Sequence, residues 1–217
     1  MTAPIRSLEA RYYTDPQIFE VEKAHLLTST WQFACHVSEL ALPGSYSCFE
    51  IAGESLFAVR DRSDEIRVFY NVCQHRAHQL VTGAGRTPMI TCPYHAWSYD
   101  LAGKLHHAPN LDVVEGVEKS DICLTEVRCE AFLGFLFVNL DNTAAPMDEW
   151  FPNVRAELEN WVPNWQQLKP LEWVEIPENC NWKVSVENYS ECYHCTPNHL
   201  TFSNEGVQPE TYALQTQ

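Results

Sequence analysis

The sequence predicts an α+β fold in which an antiparallel β module, residues 44–145, is followed by the opening part of a second, mixed domain, residues 146–217. Three observations carry this. From Ser45 to Leu140 the chain is a succession of short β-like runs separated by turn chemistry. After Asp141-Asn142-Thr143-Ala144-Ala145-Pro146 the texture turns to helical periodicity. Inside the β module, two short pairs, Cys73-Gln74-His75 and Cys92-Pro93-Tyr94-His95, sit in polar loops between strand-like runs, with sixteen residues between His75 and Cys92.

Residues 1–43 are expected to form a helical segment packing on the second domain. Thr14-Asp15-Pro16 offers an N-cap followed by proline in the first turn. Ile18, Phe19, Val21, Leu26 and Leu27 then make a partly amphipathic helix over 14–30. In the β module, strands are expected at 46–51, 55–60, 66–72, 89–91, 97–101, 122–128 and 135–140, with turns at Ala52-Gly53-Glu54, Arg62-Ser63-Asp64 and Leu101-Ala102-Gly103. Beyond Pro146, Trp150, Phe151, Val154, Leu158 and Trp161 share one broad face of a helix over 148–161. Residues 171–176 read as a strand, and Asn181 caps a second helix running to about Cys195.

Composition narrows the function. With 14 basic against 29 acidic residues the formal charge is −15, which disfavours nucleic acid and suits a cationic substrate or a basic redox partner. No Lys/Arg-led apolar segment opens the sequence, and the longest apolar run, 131–138, falls short of the ~20 residues of a membrane span. The expectation is a soluble cytoplasmic protein. Seven of the nine cysteines lie outside the two pairs, an odd remainder that predicts free thiols in a reducing compartment. Cys192 and Cys195 form a C-x-x-C without the preceding strand or flanks of a thioredoxin-like site. Asn188-Tyr189-Ser190 matches a glycosylation acceptor, an accident in that compartment.

Each of the two pairs offers one thiolate and one imidazole. That is the ligand set of a Rieske [2Fe–2S] centre, in which two His replace two Cys on one iron. Two ferric ions and two sulfides carry +2, so four thiolates would leave the oxidised cluster at −2 while two thiolates and two neutral imidazoles leave it at zero, which eases reduction. The imidazoles also present an N–H edge to a partner carboxylate. A structural zinc site is the bland alternative, but common zinc patterns pair Cys with Cys and His with His at other spacings. The stretches Asn71-Val72-Cys73-Gln74-His75-Arg76 and Cys92-Pro93-Tyr94-His95-Ala96-Trp97 closely resemble the two cluster-binding loops of Rieske proteins. The usual Pro and Gly are replaced by Gln74, Ala77 and Ala96, changes of loop shape rather than of ligands.

A second constellation runs from Asn181-Trp182-Lys183 through Glu187, Asn188, Glu191 and His194 to His199. Non-haem Fe(II) oxygenases hold iron with two His and one carboxylate. His194 and His199 are the candidate pair. A spacing of five places them ~140° apart on a regular helix, so Pro197 is expected to break the helix and let His199 fold back. Glu191 lies on the His194 face and can accept its second ring N–H. Taken alone, such residues are often surface groups or satisfied core groups. Paired with the upstream cluster loops, the segment resembles Rieske non-haem iron oxygenases, specifically their oxygenase (α) component, over essentially the whole chain.

The resemblance implies a Rieske domain followed by the N-terminal part of a helix-grip catalytic domain. It implies that Cys73 and Cys92 bind one cluster iron, His75 and His95 the other, and that His194 and His199 bind the mononuclear iron. Glu191, with Asn188 beside it as a further candidate catalytic residue, would bridge electron transfer from His95 of a neighbouring protomer. Most ring-hydroxylating members have Asp there. Glu within Glu-Cys-Tyr-His-Cys looks more like the branch acting on quaternary ammonium compounds such as carnitine, glycine betaine and stachydrine. The implied activity is hydroxylation of an organic substrate by O2, with electrons from NAD(P)H through a separate flavin/iron–sulfur reductase. Hydroxylation beside a quaternary nitrogen gives a hemiaminal that splits the C–N bond. An aromatic-ring dioxygenase and a Rieske ferredoxin-like carrier are the alternatives, and a homotrimer is the implied full-length assembly.

One feature departs from the family. Its third iron ligand is an Asp more than a hundred residues beyond the His pair, whereas the sequence ends at Gln217, eighteen residues after His199. Glu205 and Glu210 are the nearby carboxylates, more naturally read as solvated loop residues. The expectation is a fragment of a longer oxygenase or a truncated product that loads the cluster and holds the mononuclear iron weakly.

Overall fold

The computed structural model describes residues 7–190 and 194–202, which divide into two compact units, 21–173 and the segments 7–20 with 174–202. The larger unit is built on a curled, wholly antiparallel seven-stranded sheet. Its strands are β1 (Gln32–His36), β2 (Ser45–Ile51), β3 (Glu54–Arg60), β4 (Ile66–Tyr70), β5 (Ala84–Arg86), β9 (Glu126–Phe132) and β10 (Phe135–Asn139), in the order β1-β10-β9-β4-β3-β2-β5. A second sheet holds β6 (Ile90–Thr91), β7 (Ser98–Tyr99) and β8 (Leu105–His107) in sequence order. The α+β expectation is met.

β3 explains how the sheet is buried. Leu56, Phe57, Ala58 and Val59 are all fully buried, so both faces of this central strand are covered, as a continuous apolar run requires. Leu56 and Ala58 face one core with Leu40, Val68, Val127, Leu136 and Val138. Phe57 and Val59 face the other, where Phe69, Ile90, Trp97, Tyr99, Leu101 and Leu105 pack together with Cys73 and Cys92. The first face is the inside of the curled sheet, and the second, covered by β6–β8, is where the Cys/His loops are anchored.

Several elements differ from expectation. β1, β5 and β8 went unforeseen because they are short and interrupted: β1 carries a register shift between Phe33 and Cys35, and β5 is three exposed residues. The strand expected over 122–128 begins only at Glu126 and continues to Phe132, because Leu133-Gly134 makes the hairpin turn with φ of 51° and 85°. Residues 171–176 form no strand. Leu171 is fully exposed and finds no pairing neighbour among the described residues, and apolar composition without a neighbour leaves the backbone unpaired. The helix expected over 148–161 is two, Met147–Trp150 and Val154–Trp161, separated where Asn153 turns left-handed at φ 71°.

In the smaller unit, Asp15 is extended before Pro16, and its Oδ1 accepts the Gln17 N–H at 2.8 Å, capping the helix that starts at Pro16. That helix ends in a π-type turn over Lys23–Leu27 rather than running regularly to residue 30. Asn181 Oδ1 accepts the Lys183 N–H at 3.1 Å and caps the helix Trp182–Ser190. Tyr13 donates its hydroxyl to Glu187 at 2.6 Å, and the Lys183 ammonium lies over the Tyr13 and Trp182 rings. Among the described residues no helix is long and apolar enough to cross a membrane.

Candidate metal centres

The two Cys/His segments fold into the same backbone turn. In the first, the Ala77 N–H donates to the Cys73 carbonyl at 3.0 Å and the Cys73 N–H to the His78 carbonyl at 2.9 Å. In the second, the Ala96 N–H donates to the Cys92 carbonyl at 3.0 Å and the Cys92 N–H to the Trp97 carbonyl at 2.8 Å. Each turn closes through a left-handed alanine, Ala77 at φ 52° and Ala96 at φ 58°, where glycine would sit without a Cβ penalty. The first loop is tied down by the buried Asn71. Its Nδ2 donates to the Val81 carbonyl at 2.8 Å, and its Oδ1 accepts the N–H groups of Leu80 and Val81.

These turns bring the four predicted ligands together as a thiol pair and an imidazole pair. The His75 and His95 rings meet edge to face, with centroids 4.7 Å apart. Cys73 and Cys92 are each 2 % exposed, inside one core cluster. Tyr99, which sequence reasoning did not single out, belongs to the same cluster. Its oxygen accepts the Gln74 N–H at 3.0 Å and stands 3.3 Å from Cys73 Sγ. Burial and the neighbouring Cys73 push the phenol's pKa up, so it stays protonated. Its place on β7, facing the core, was the available signal.

His75 carries the strongest mark of an iron ligand. Among the described residues its Nδ1 is buried without a hydrogen-bond partner, an exception among buried polar atoms that asks for an acceptor of its lone pair. Desolvation, with His95 and Arg76 nearby, lowers its pKa and keeps the ring neutral, the form that binds metal. Trp97 stacks on this ring and Tyr94 packs over His95, the latter with centroids 3.8 Å apart. Among the described residues no three His, Cys, Asp or Glu side chains close on one ion-sized point. Two buried thiols of one core cluster and two imidazoles meeting edge to face are the donor set that would hold a bridged pair of irons.

The second constellation is described in part. The His194 and His199 rings converge to a centroid distance of 5.3 Å with planes 79° apart. Pro197 does not make the break expected of it. It sits third in the short helix Cys195–Asn198, in the first turn, where a missing N–H costs nothing, and the chain turns at His199, with φ −117° and ψ 62°. The His199 N–H still bonds the Cys195 carbonyl at 2.8 Å, which brings its ring back toward His194. Asn188 is exposed on the helix Trp182–Ser190. Glu191, Cys192, Glu205 and Glu210 lie outside the described residues.

Residues 30–118 match the Rieske [2Fe-2S] domain family, and residues 165–216 match the catalytic domain of the ring hydroxylating alpha subunit. Across 95 % of its length the chain is 41 % identical to the carnitine monooxygenase oxygenase subunit of Escherichia coli (strain K12). The chain carries a Rieske [2Fe–2S] domain followed by part of a ring hydroxylating alpha subunit catalytic domain. It spans about 55 % of the length of that relative. The glycine betaine monooxygenase oxygenase subunit of Chromohalobacter salexigens is 31 % identical over 93 % of this chain and 45 % of its own. In three dimensions the chain resembles a quaternary ammonium Rieske monooxygenase solved with L-carnitine, with a TM-score of 0.85 and 37 % identity over 92 % of this chain and 56 % of that one. Naphthalene 1,2-dioxygenase follows at 0.76 and 28 %, covering 93 % and 46 %. The two matched domains imply the [2Fe–2S] cluster and the mononuclear iron expected of the family.

Proposed function

We propose that this chain belongs to the oxygenase component of a two-component Rieske monooxygenase that hydroxylates a quaternary ammonium compound and so cleaves a C–N bond. The observation that carries it is the convergence of the twin Cys/His loops on a buried, partnerless His75 Nδ1. In this reading Cys73 and Cys92 hold one cluster iron, His75 and His95 the other, and His194 and His199 hold the mononuclear iron. When bound, the cluster supplies one-electron transfer and the mononuclear iron supplies O2 activation.

The chain's own residues orient and seclude these groups. Tyr99 hydrogen-bonds the Cys73 sulfur, and Asn71 fixes the loop behind His75. Residues 44–145 serve as the cluster domain and 146–217 as part of the catalytic domain. Of the N-terminal residues 1–43, the segment 7–20 packs on the latter, a placement supported by the Tyr13–Glu187 hydrogen bond. Electrons arrive from NAD(P)H through a flavin/iron–sulfur reductase. In a homotrimer the His95 N–H edge of one protomer faces Glu191 of the next, with Asn188 beside it.

The substrate class is supported by the Glu-Cys-Tyr-His-Cys segment and by the likeness to oxygenase subunits whose names specify carnitine and glycine betaine. The test is anaerobic reconstitution with iron and sulfide, followed by turnover with NAD(P)H, the reductase and O2 on carnitine, glycine betaine and simple arenes. Aldehyde or amine release from a trimethylammonium compound is the expected result. Arene oxidation alone points to a dioxygenase. Electron transfer that persists after His194 and His199 are replaced, with no product from either class, points to a carrier.

A further inference from the structure

His75 and Trp97 come from different loops, yet their rings lie face to face, with centroids 4.8 Å apart and planes 9° from parallel. The indole is 9 % exposed and part of the core, and the Trp97 carbonyl is held by the Cys92 N–H. It is therefore a fixed wall against which the half-buried imidazole rests. His75 also meets His95 edge to face, at a centroid distance of 4.7 Å and an angle of 73°. A ring caught in this way cannot rotate about its Cβ–Cγ bond without leaving the stack. Its Nδ1 stays buried and without a hydrogen-bond partner.

We propose that Trp97 is a positioning residue for the cluster: its indole face sets the plane of the His75 ring and, by stacking, favours the oxidised state over the reduced one. This rests on the assignment of His75 as a cluster ligand. An imidazole on an oxidised iron is more positively polarised than one on a reduced iron. The indole face carries negative potential and is the best of the aromatic faces for a positive neighbour. The stack is therefore stronger before reduction than after it. The indole also keeps water from the ring, and water would favour the more negative, reduced cluster. Both effects act in one direction, so loss of the indole makes the cluster easier to reduce.

The experiment compares reconstituted wild type, Trp97→Phe and Trp97→Leu by absorbance, EPR and redox titration, with far-UV circular dichroism as the check on folding. The Leu variant keeps an apolar side chain, smaller than the indole and without a π face. Its reduction equilibrium should move three- to tenfold toward the reduced state, tenfold being 59 mV for one electron. The Phe variant, with a smaller face, should move about twofold in the same direction. A loaded Leu variant with wild-type potential and EPR spectrum overturns the inference. So does loss of the cluster from both variants with the fold intact, since bulk alone would then be the cause. Loss from the Leu variant alone supports it. If the Leu variant does not fold, Trp97→Phe decides, and a nil or downward shift overturns the proposal. Failure of the wild type to load sinks the cluster assignment itself, a result separable from any difference between variants.

Discussion

Ala77 and Ala96 hold the same place in their loops and the same left-handed backbone, φ 52° and 58°. An L-residue there costs roughly 1–2 kcal/mol, while glycine loosens the unfolded chain by about 0.4–1 kcal/mol. Ala96→Gly should therefore stabilise the folded chain by about 1 kcal/mol. Urea unfolding followed by fluorescence measures this, and an unchanged or lower midpoint would show that the turn is not strained. At this scale the ligands were legible because Cys73, His75, Cys92 and His95 announce themselves by residue type and spacing. Tyr99 and Trp97 were not, because each acts on a residue of the other loop. A contact between loops leaves no periodicity in the chain.

At the scale of elements, the β3–β4 hairpin shows how one carboxylate organises a turn. Asp61, 3 % exposed, accepts the Ser63 N–H at 2.7 Å, the Glu65 N–H at 3.0 Å and Arg67 Nε at 2.9 Å. Burial pushes its pKa up, but Arg67 and the two backbone donors outweigh that and hold it below the ordinary value. The sign follows: the folded pKa is depressed, so the carboxylate's contribution is complete above the unfolded value of about 4 and fades as pH falls toward the folded one. Asp61→Asn should cost about 2 kcal/mol at pH 7, allowing for the partial exposure of Arg67, and should flatten the acid side of the stability curve. Thermal unfolding from pH 7 to pH 3 measures both. The turn itself was read from Arg62-Ser63-Asp64, but the residue that organises it was not. The strand starts at Gln32, Ala84 and Leu105 escaped for a related reason, since they are defined by a neighbour's hydrogen bonds more than by their own side chains.

For the whole molecule, Cys73 and Cys92 belong to the same buried cluster as Phe57, Phe69 and Tyr99. Ligation at those sulfurs should then be felt through the unit 21–173. Reconstituted protein is expected to resist trypsin at Arg76 at least tenfold longer than apo protein, and chelation under reducing conditions should remove the difference. Equal cleavage rates would mean that the loops are rigid without metal. The strand order β1-β10-β9-β4-β3-β2-β5 was beyond sequence reading, because it joins the first strand to the last across a hundred residues of chain. That order also decides where the sheet stops. One rim is β5, three residues long and closed by Arg86, and the other is β1, kinked by its register shift. Neither rim offers the long, flat row of free amides that a foreign strand needs for docking. Growth of this sheet by recruiting strands, the usual first step toward fibrils, is blocked at both margins by the same shortness that hid those strands from view.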